Sequence, residues 1–326
     1  MSSEPADLLK ARLPAQVLER LASLRLADGR VTLVLDASGL DAAARTALEA
    51  EAQSALAQAP DITEVRVAMT ADKAAPPAKP RIIAVASGKG GVGKSTVSTN
   101  LAVALARAGH KVGMVDADIY GPSQARLLGT EGLKPTAREK TLIPVQSPYG
   151  VPVLSIAHLV DAGQAIAWRG AMAGNALGQM LDGDWSGVDV LIVDLPPGTG
   201  DIQLTMLQRY KPDGAVIVST PQDLALIDAT RAIGLFDKGG VPVIGMVENM
   251  AGYACPHCGE VSDPFGHGGA EETARSGSHA FLGRIPLDIS IRRDSDAGTP
   301  PAAGDGPQAQ AFAQIAAHVS AWLAAR

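Results

Sequence analysis

Residues 88–95 read Gly-Lys-Gly-Gly-Val-Gly-Lys-Ser, a glycine-dense run that ends in a lysine and a hydroxyl. Glycines let backbone N–H groups close around phosphate oxygens, a terminal lysine neutralises β- and γ-phosphates, and a serine hydroxyl binds Mg2+. The same letters fit a dinucleotide fingerprint through Gly88, Gly90 and Gly93, with Asp116 as the ribose-binding acid. That reading leaves Lys94 and Ser95 without a task. A phosphate loop also needs an acid at the end of a second buried strand, and Asp194 in DVLIVDLPPG (189–198) stands there. The turn that follows lets the N–H of Gly198 face a γ-phosphate. ATP with Mg2+ is therefore expected at Gly88, Lys89, Gly90, Gly91, Val92, Gly93, Lys94, Ser95 and Thr96, with Asp194 and Gly198 opposite. In DADIYGPS (116–123), Asp116 and Asp118 are spaced i, i+2, on the same side of an extended segment. One acid can orient or deprotonate an attacking water while the other supports Mg2+, or either can be a turn residue.

Both cysteines of the chain lie in Cys255-Pro-His-Cys258, within ENMAGYACPHCG (248–259). Three chemistries are open to the pair. A redox dithiol would open a helix after an early strand, whereas this pair sits in a loop followed by Gly259. A zinc site could add His257 or His267 to the two thiolates. In the third reading two chains each give two thiolates, completing the four-thiolate set of a [4Fe–4S] cluster.

These residues need a scaffold that presents loops at strand ends. Short β-branched runs recur at IIAVAS (82–87), KVGMVD (111–116), VPVLSI (151–156), DVLIVD (189–194), GAVIVS (214–219) and VPVIGMV (241–247). Apolar runs without alternation belong to strands buried on both faces, and helical spacing at 95–108, 201–210 and 223–237 lies between several of them. The pattern predicts an α/β fold, a mostly parallel, doubly wound P-loop NTPase sheet with helices on both faces, over residues 82–326. The Pro-rich stretch 71–81 reads as a linker. Residues 1–70 read as a small N-terminal α/β domain: helical spacing over 7–25, a strand at 30–36, an alanine-rich helix at 40–59 and a strand at 62–69. This domain has no cysteine, histidine or glycine-rich loop, which suits docking or regulation. Near the C-terminus Phe312, Ile315, Val319 and Trp322 recur at helical spacing, and with Arg326 the one nearby cation the segment reads as core rather than membrane-seeking.

The 326 residues carry a formal net charge of −6, which disfavours sequence-independent wrapping of nucleic acid. Two cysteines exclude a disulfide-rich secreted scaffold and a four-thiolate site within one chain. Charges at Glu4, Asp7, Lys10 and Arg12 interrupt any signal-peptide core, and no apolar run approaches the roughly 18 residues of a membrane span. The expectation is a cytoplasmic protein with no membrane or nucleic-acid partner.

The loop with its additional Lys89 resembles the deviant Walker A motif of the MinD/ParA-like ATPases. The resemblance implies that Lys89 reaches a nucleotide across a dimer, and that Asp118, in the equivalent of switch I, is the catalytic acid beside Lys94. GKGGVGKS, DADIYGPS, DLPPGTGD, ENMAGYACPHCG, FGHGGAEETA and LGRIPLD together look like the Mrp/ApbC family of iron–sulfur cluster carriers, in that family's order from about residue 80 to 300. The resemblance implies a homodimer that hydrolyses ATP, a labile [4Fe–4S] cluster bridging paired Cys255 and Cys258, exchange with iron–sulfur scaffold and recipient apoproteins, and Asn249 and Pro286 beside the adenine. The N-terminal 75 residues lack the Asp-Pro turn usual in the family, and Ala251-Gly252 follows Glu-Asn-Met where Ser-Tyr or Ser-Phe is usual. The alternatives that remain are a positioning ATPase without a cluster and a zinc-binding P-loop ATPase.

Overall fold

The computed structural model describes residues 8–60, 62–70, 79–159 and 171–326, and the chain divides into two compact units, Met1–Ala78 and Lys79–Arg326. Of the linker expected at 71–81, residues 71–78 lie outside the described residues.

In the first unit, strands β1 (Leu21–Ala27), β2 (Arg30–Asp36) and β3 (Glu64–Thr70) form a sheet in that order. Alternation along β2 turns Val31, Leu33 and Leu35 inward against Leu48, Ala52 and Leu56 of the helix Ala42–Ala57. Asp41 caps that helix by accepting the N–H of Ala44. The helical spacing expected over 7–25 is overturned in its second half: a five-residue helix, Ala15–Glu19, gives way to β1, which pairs antiparallel with β2. Asp28-Gly29 decides this, because both residues adopt positive φ (49° and 76°) between the paired Ala27 and Arg30. A two-residue Asp-Gly turn is the geometry that a tight hairpin demands, and it overrides the apolar spacing.

In the second unit the strands, in chain order, are β4 (Arg81–Ala86), β5 (Val112–Asp116), β6 (Thr136–Arg138), β7 (Thr141–Ile143), β8 (Val145–Gln146), β9 (Pro152–Ser155), β10 (Val190–Asp194), β11 (Gly214–Ser219), β12 (Val243–Asn249), β13 (Tyr253–Ala254), β14 (Val261–Ser262) and β15 (Phe281–Ile285). Eight of them form one sheet in the order β15-β12-β11-β4-β10-β5-β9-β8, in which every pair is parallel except β8 with β9. Every residue of β5, β10 and β11 is buried, as apolar runs without alternation require. Along β4, Ile83 and Val85 face Leu101, Phe312 and Ile315, whereas Ala84 and Ala86 face the other side, with Leu177, Ile233 and Phe236. Helices therefore cover both faces. The C-terminal helix Pro307–Ala324 buries Phe312, Ile315 and Val319, and Trp322 packs against the same core. Edge strand β15 has no apolar signature, because Gly283 (φ 143°) and Arg284 interrupt FLGRI.

No helix among the described residues is long and apolar enough to cross a membrane.

Candidate functional site: a phosphate loop and a cysteine hairpin

The loop after β4 stands at the carboxyl end of the sheet, where open α/β sheets hold their ligands. It feeds the helix Lys94–Arg107, whose first residue follows Gly93 in the left-handed conformation (φ 80°). A Cβ at Gly88 would lie 2.0 Å from the carbonyl carbon of Asp228, so the loop seats directly on the backbone of the helix Asp223–Lys238. A Cβ at Gly93 would lie 2.2 Å from Asn249 Nδ2. The loop encloses a cavity of about 360 Å3 with Asp118, Pro197 and Asp296 at its rim.

Beneath that cavity lies a buried polar network. Lys94 Nζ is 2.7 Å from Asp194 Oδ1 and 3.3 Å from Ser95 Oγ. The pair is 5% and 0% exposed, so each charge depends on the other. Ser98 Oγ also donates to Asp194 Oδ1 (2.7 Å), and Gln124 Nε2 donates to Asp194 Oδ2 (2.9 Å). Neither Ser98 nor Gln124 carries a signal in the sequence, since both look like ordinary helix residues until the fold brings them to Asp194.

The two acids of DADIYGPS part company. Asp116 is fully buried at the end of β5, in register with Asp194, and its Oδ2 accepts the N–H groups of Ser123 and Gln124 and the hydroxyl of Ser155. It is a staple for the loop 117–123. Burial first, and then the charge of Asp194, push its carboxyl from the ordinary 3.8 up to about 7, against those donors. The folded chain thus holds a proton that the unfolded chain releases, so stability associated with Asp116 is present below about pH 4 and is lost as pH rises to about 7. Asp116→Asn keeps an acceptor for the three donors at Oδ2. The difference in unfolding temperature between wild type and Asp116→Asn is expected to shift in favour of the variant between about pH 5 and pH 8. Thermal unfolding of both proteins across that range checks it; a pH-independent difference contradicts it.

Asp118 is half-buried at the cavity rim and accepts the N–H of Gly121 (3.1 Å). Burial raises its carboxyl above the ordinary range, while nearby Lys94 opposes the shift.

Four further expected residues take definite places. Lys89 is half-buried in the loop, its carbonyl accepting the hydroxyl of Ser87. Gly198 takes positive φ (88°), but its N–H, expected to face a γ-phosphate, donates to the carbonyl of Ser87 at 3.0 Å. The Pro-Pro-Gly turn is thereby tied to the end of β4. Asn249 is buried at the end of β12 and donates its amide to the Val92 carbonyl (2.8 Å), which joins that strand to the phosphate loop. Ile285, the last residue of β15, pairs in register with Asn249, so Pro286 comes just beyond the end of the neighbouring strand.

The cysteines sit at the tip of the hairpin β13–β14. Cys255 N–H donates to Glu260 carbonyl (2.9 Å) and Gly259 N–H returns to Cys255 carbonyl (2.8 Å), with Gly259 at φ 74°. Cys258 is exposed and Cys255 partly so. The backbone N–H groups of Cys258 and His257, followed by the Cys258 thiol, face Cys255 and hold its thiol below the ordinary range. A lowered thiol pKa raises the share of thiolate, the form that binds metal. Among the described residues no three His, Cys, Asp or Glu side chains gather into a metal site, and His267 lies 3.7 Å from Asp263. Both roots of the hairpin are fixed: Ala251 N–H donates to Ile285 carbonyl, and Glu248, fully buried, accepts the N–H groups of Gly268 and Ala270 and the guanidinium of Arg284.

Sheet order, phosphate loop and buried Lys94–Asp194 pair define a P-loop NTPase fold. The solved structure of a nucleotide-binding protein in complex with ADP from Archaeoglobus fulgidus aligns at a TM-score of 0.60 and 43% identity, over 67% of this chain and 86% of that one. The MinC:MinD cell division complex of Aquifex aeolicus shares the fold at 22% identity and a TM-score of 0.55, over 74% of this chain and 96% of that one. A family model, ParA, described as NUBPL iron-transfer P-loop NTPase, matches residues 79–320, and the chain belongs to that family. Among its relatives are iron–sulfur cluster carrier proteins of Deinococcus radiodurans (47% identical over 78% of this chain and 73% of the relative) and Escherichia coli (52% identical over 67% of this chain). The match spans 60% of the Escherichia coli protein.

Proposed function

We propose that this protein binds and hydrolyses ATP and carries a labile [4Fe–4S] cluster between two copies of itself, receiving it from a scaffold and delivering it to apoproteins in the cytoplasm. One observation carries the reading: a single unit holds both a phosphate loop and a Cys255-x-x-Cys258 turn at a hairpin tip, with Cys258 exposed and Cys255 partly so. Two thiolates are half of a cluster's ligands, and a second copy supplies the rest. Relatives called iron–sulfur cluster carrier proteins support the cargo, and the ADP-bound neighbour supports the nucleotide.

In this reading the phosphate chain lies in the loop, with Lys94 turned from Asp194 to the β- and γ-phosphates and Lys89 reaching the partner copy's nucleotide. Asn249 and Pro286 flank the adenine. The hard oxygens of Ser95 and Asp194 suit Mg2+, which supplies charge neutralisation on the phosphates when bound. Asp118 orients a water, whose oxygen attacks the γ-phosphorus as the bond to the ADP oxygen breaks and its proton passes to the carboxylate. Because Asn249 links β12 to Val92, and the cysteine hairpin leaves β12 directly after it, nucleotide state and cluster grip are coupled.

The test is anaerobic purification, iron and sulfide assay, a visible spectrum, and cluster transfer to an apoprotein with and without ATP. Iron and sulfide in near-equal amounts and ATP-dependent transfer are expected. A colourless or zinc-loaded protein removes the carrier function and leaves a positioning ATPase or a zinc-binding one; transfer indifferent to ATP removes the coupling.

A further inference from the structure

Gln124 is 0% exposed at the start of the helix Gln124–Leu127, and each polar atom of its side chain is spent on the nucleotide site. Nε2 donates to Asp194 Oδ2 (2.9 Å) and to the Ser95 carbonyl (3.0 Å), while Oε1 accepts the Thr99 hydroxyl (2.6 Å). Two acceptors on one side and a hydroxyl on the other fix which end of the amide is nitrogen. Its own backbone N–H is held by Asp116, so one residue joins β10, the helix Lys94–Arg107 and the end of β5.

The chemistry of Asp194 gives that junction a purpose. In this structure its Oδ1 receives Lys94 and Ser98, and its Oδ2 receives Gln124. When Lys94 moves to phosphate, only Ser98 and Gln124 remain to set the plane of the carboxylate. We infer that Gln124 is a positioning residue, which keeps the Asp194 carboxylate aimed at the Mg2+ side of the phosphate loop while Lys94 is engaged elsewhere. The inference rests on the Mg·ATP part of the proposed function and is independent of the cluster. It also ties the loop 117–123, which carries Asp118, to the same carboxylate, because Ser123 and Gln124 share Asp116 as acceptor.

Residues that orient a metal's partners from behind typically change metal affinity by about 10–100-fold when replaced. Gln124→Met keeps the length and removes both donors. In the full-length protein, binding of a fluorescent ATP analogue is followed as Mg2+ is titrated, and again in chelator. For Gln124→Met the Mg2+ concentration at half-maximal enhancement is expected to rise about tenfold, with affinity in chelator within about twofold of wild type. Thr99→Val, which removes only the hydroxyl that fixes the amide, is expected to move the Mg2+ midpoint in the same direction by less. It carries the test if Gln124→Met does not fold. An unmoved midpoint in the folded variants overturns the inference, as does an equal loss of affinity with and without Mg2+, which marks a merely structural role. Failure of wild type to bind the analogue would instead sink the nucleotide reading itself.

Discussion

Lys94→Met is expected to abolish nucleotide binding and also to destabilise the second unit, whereas the double variant Lys94→Met/Asp194→Asn recovers stability without recovering binding. The loss of binding follows from the removal of the one cation at the end of the phosphate loop. The loss of stability follows from what the lysine leaves behind. Asp194 is 0% exposed, and its carboxylate would keep only Ser98 and Gln124 as donors with no countercharge. Breaking a buried ion pair from one side typically costs about 3–5 kcal/mol. For a unit of this size each kcal/mol moves the unfolding temperature by roughly 2–4 °C, so a fall of about 6–20 °C is expected. Changing both residues removes the orphaned charge, and a neutral amide at position 194 can accept from Gln124 and donate to the Ser98 hydroxyl, which donates in turn to the carbonyl of residue 94. Thermal unfolding of the three proteins, with a binding isotherm for a fluorescent ATP analogue on each, checks the prediction. If the single variant unfolds at the wild-type temperature, the pair is not the electrostatic centre described above.

The same network shows what the sequence can and cannot disclose. Lys94, Ser95 and Asp194 are legible because phosphate chemistry fixes their types and because each terminates a local pattern, a glycine run or a buried strand. The sheet is legible for the same local reason, since β4, β5, β10 and β11 are apolar on both faces. Gln124, Ser98 and Glu248 are invisible because their role is defined by partners up to 96 residues away in the chain for Ser98. Asp116 and Asp118 share one motif, and nothing in their spacing separates a staple at a strand end from an acid at a cavity rim. In the first unit the error over 7–25 is of another kind. Leu21, Leu24 and Val17 fit a helical period, but the Asp28-Gly29 turn fixes the strand register and forces residues 21–27 into a hairpin.

The cysteine hairpin yields the other large effect, and its prediction separates cargo from scaffold. Cys255→Ser and Cys258→Ser are each expected to remove essentially all iron and sulfide, against about two iron and two sulfide per chain for a cluster shared by two copies. With the cluster removed from both, nucleotide binding of each variant is expected within about twofold of wild type, and stability within about 0.5 kcal/mol, because substitutions at exposed or partly exposed positions away from core and caps have effects of that size. The hydrogen bonds that form the turn run through backbone atoms, from Cys255 N–H to Glu260 and from Gly259 N–H to Cys255, and serine retains them. The roots of the hairpin are held by Glu248 and by the Ile285 carbonyl, which the thiols do not touch. Serine also offers a hydroxyl in place of a thiol whose ionisation the N–H groups of Cys258 and His257 already favour, so the change acts on the ligand and not on the loop. Iron and sulfide assays, the visible spectrum and a thermal melt on each anaerobically purified variant decide the matter. Wild-type iron content in either single variant would place the cluster elsewhere, and a matching collapse of stability would make the thiols structural.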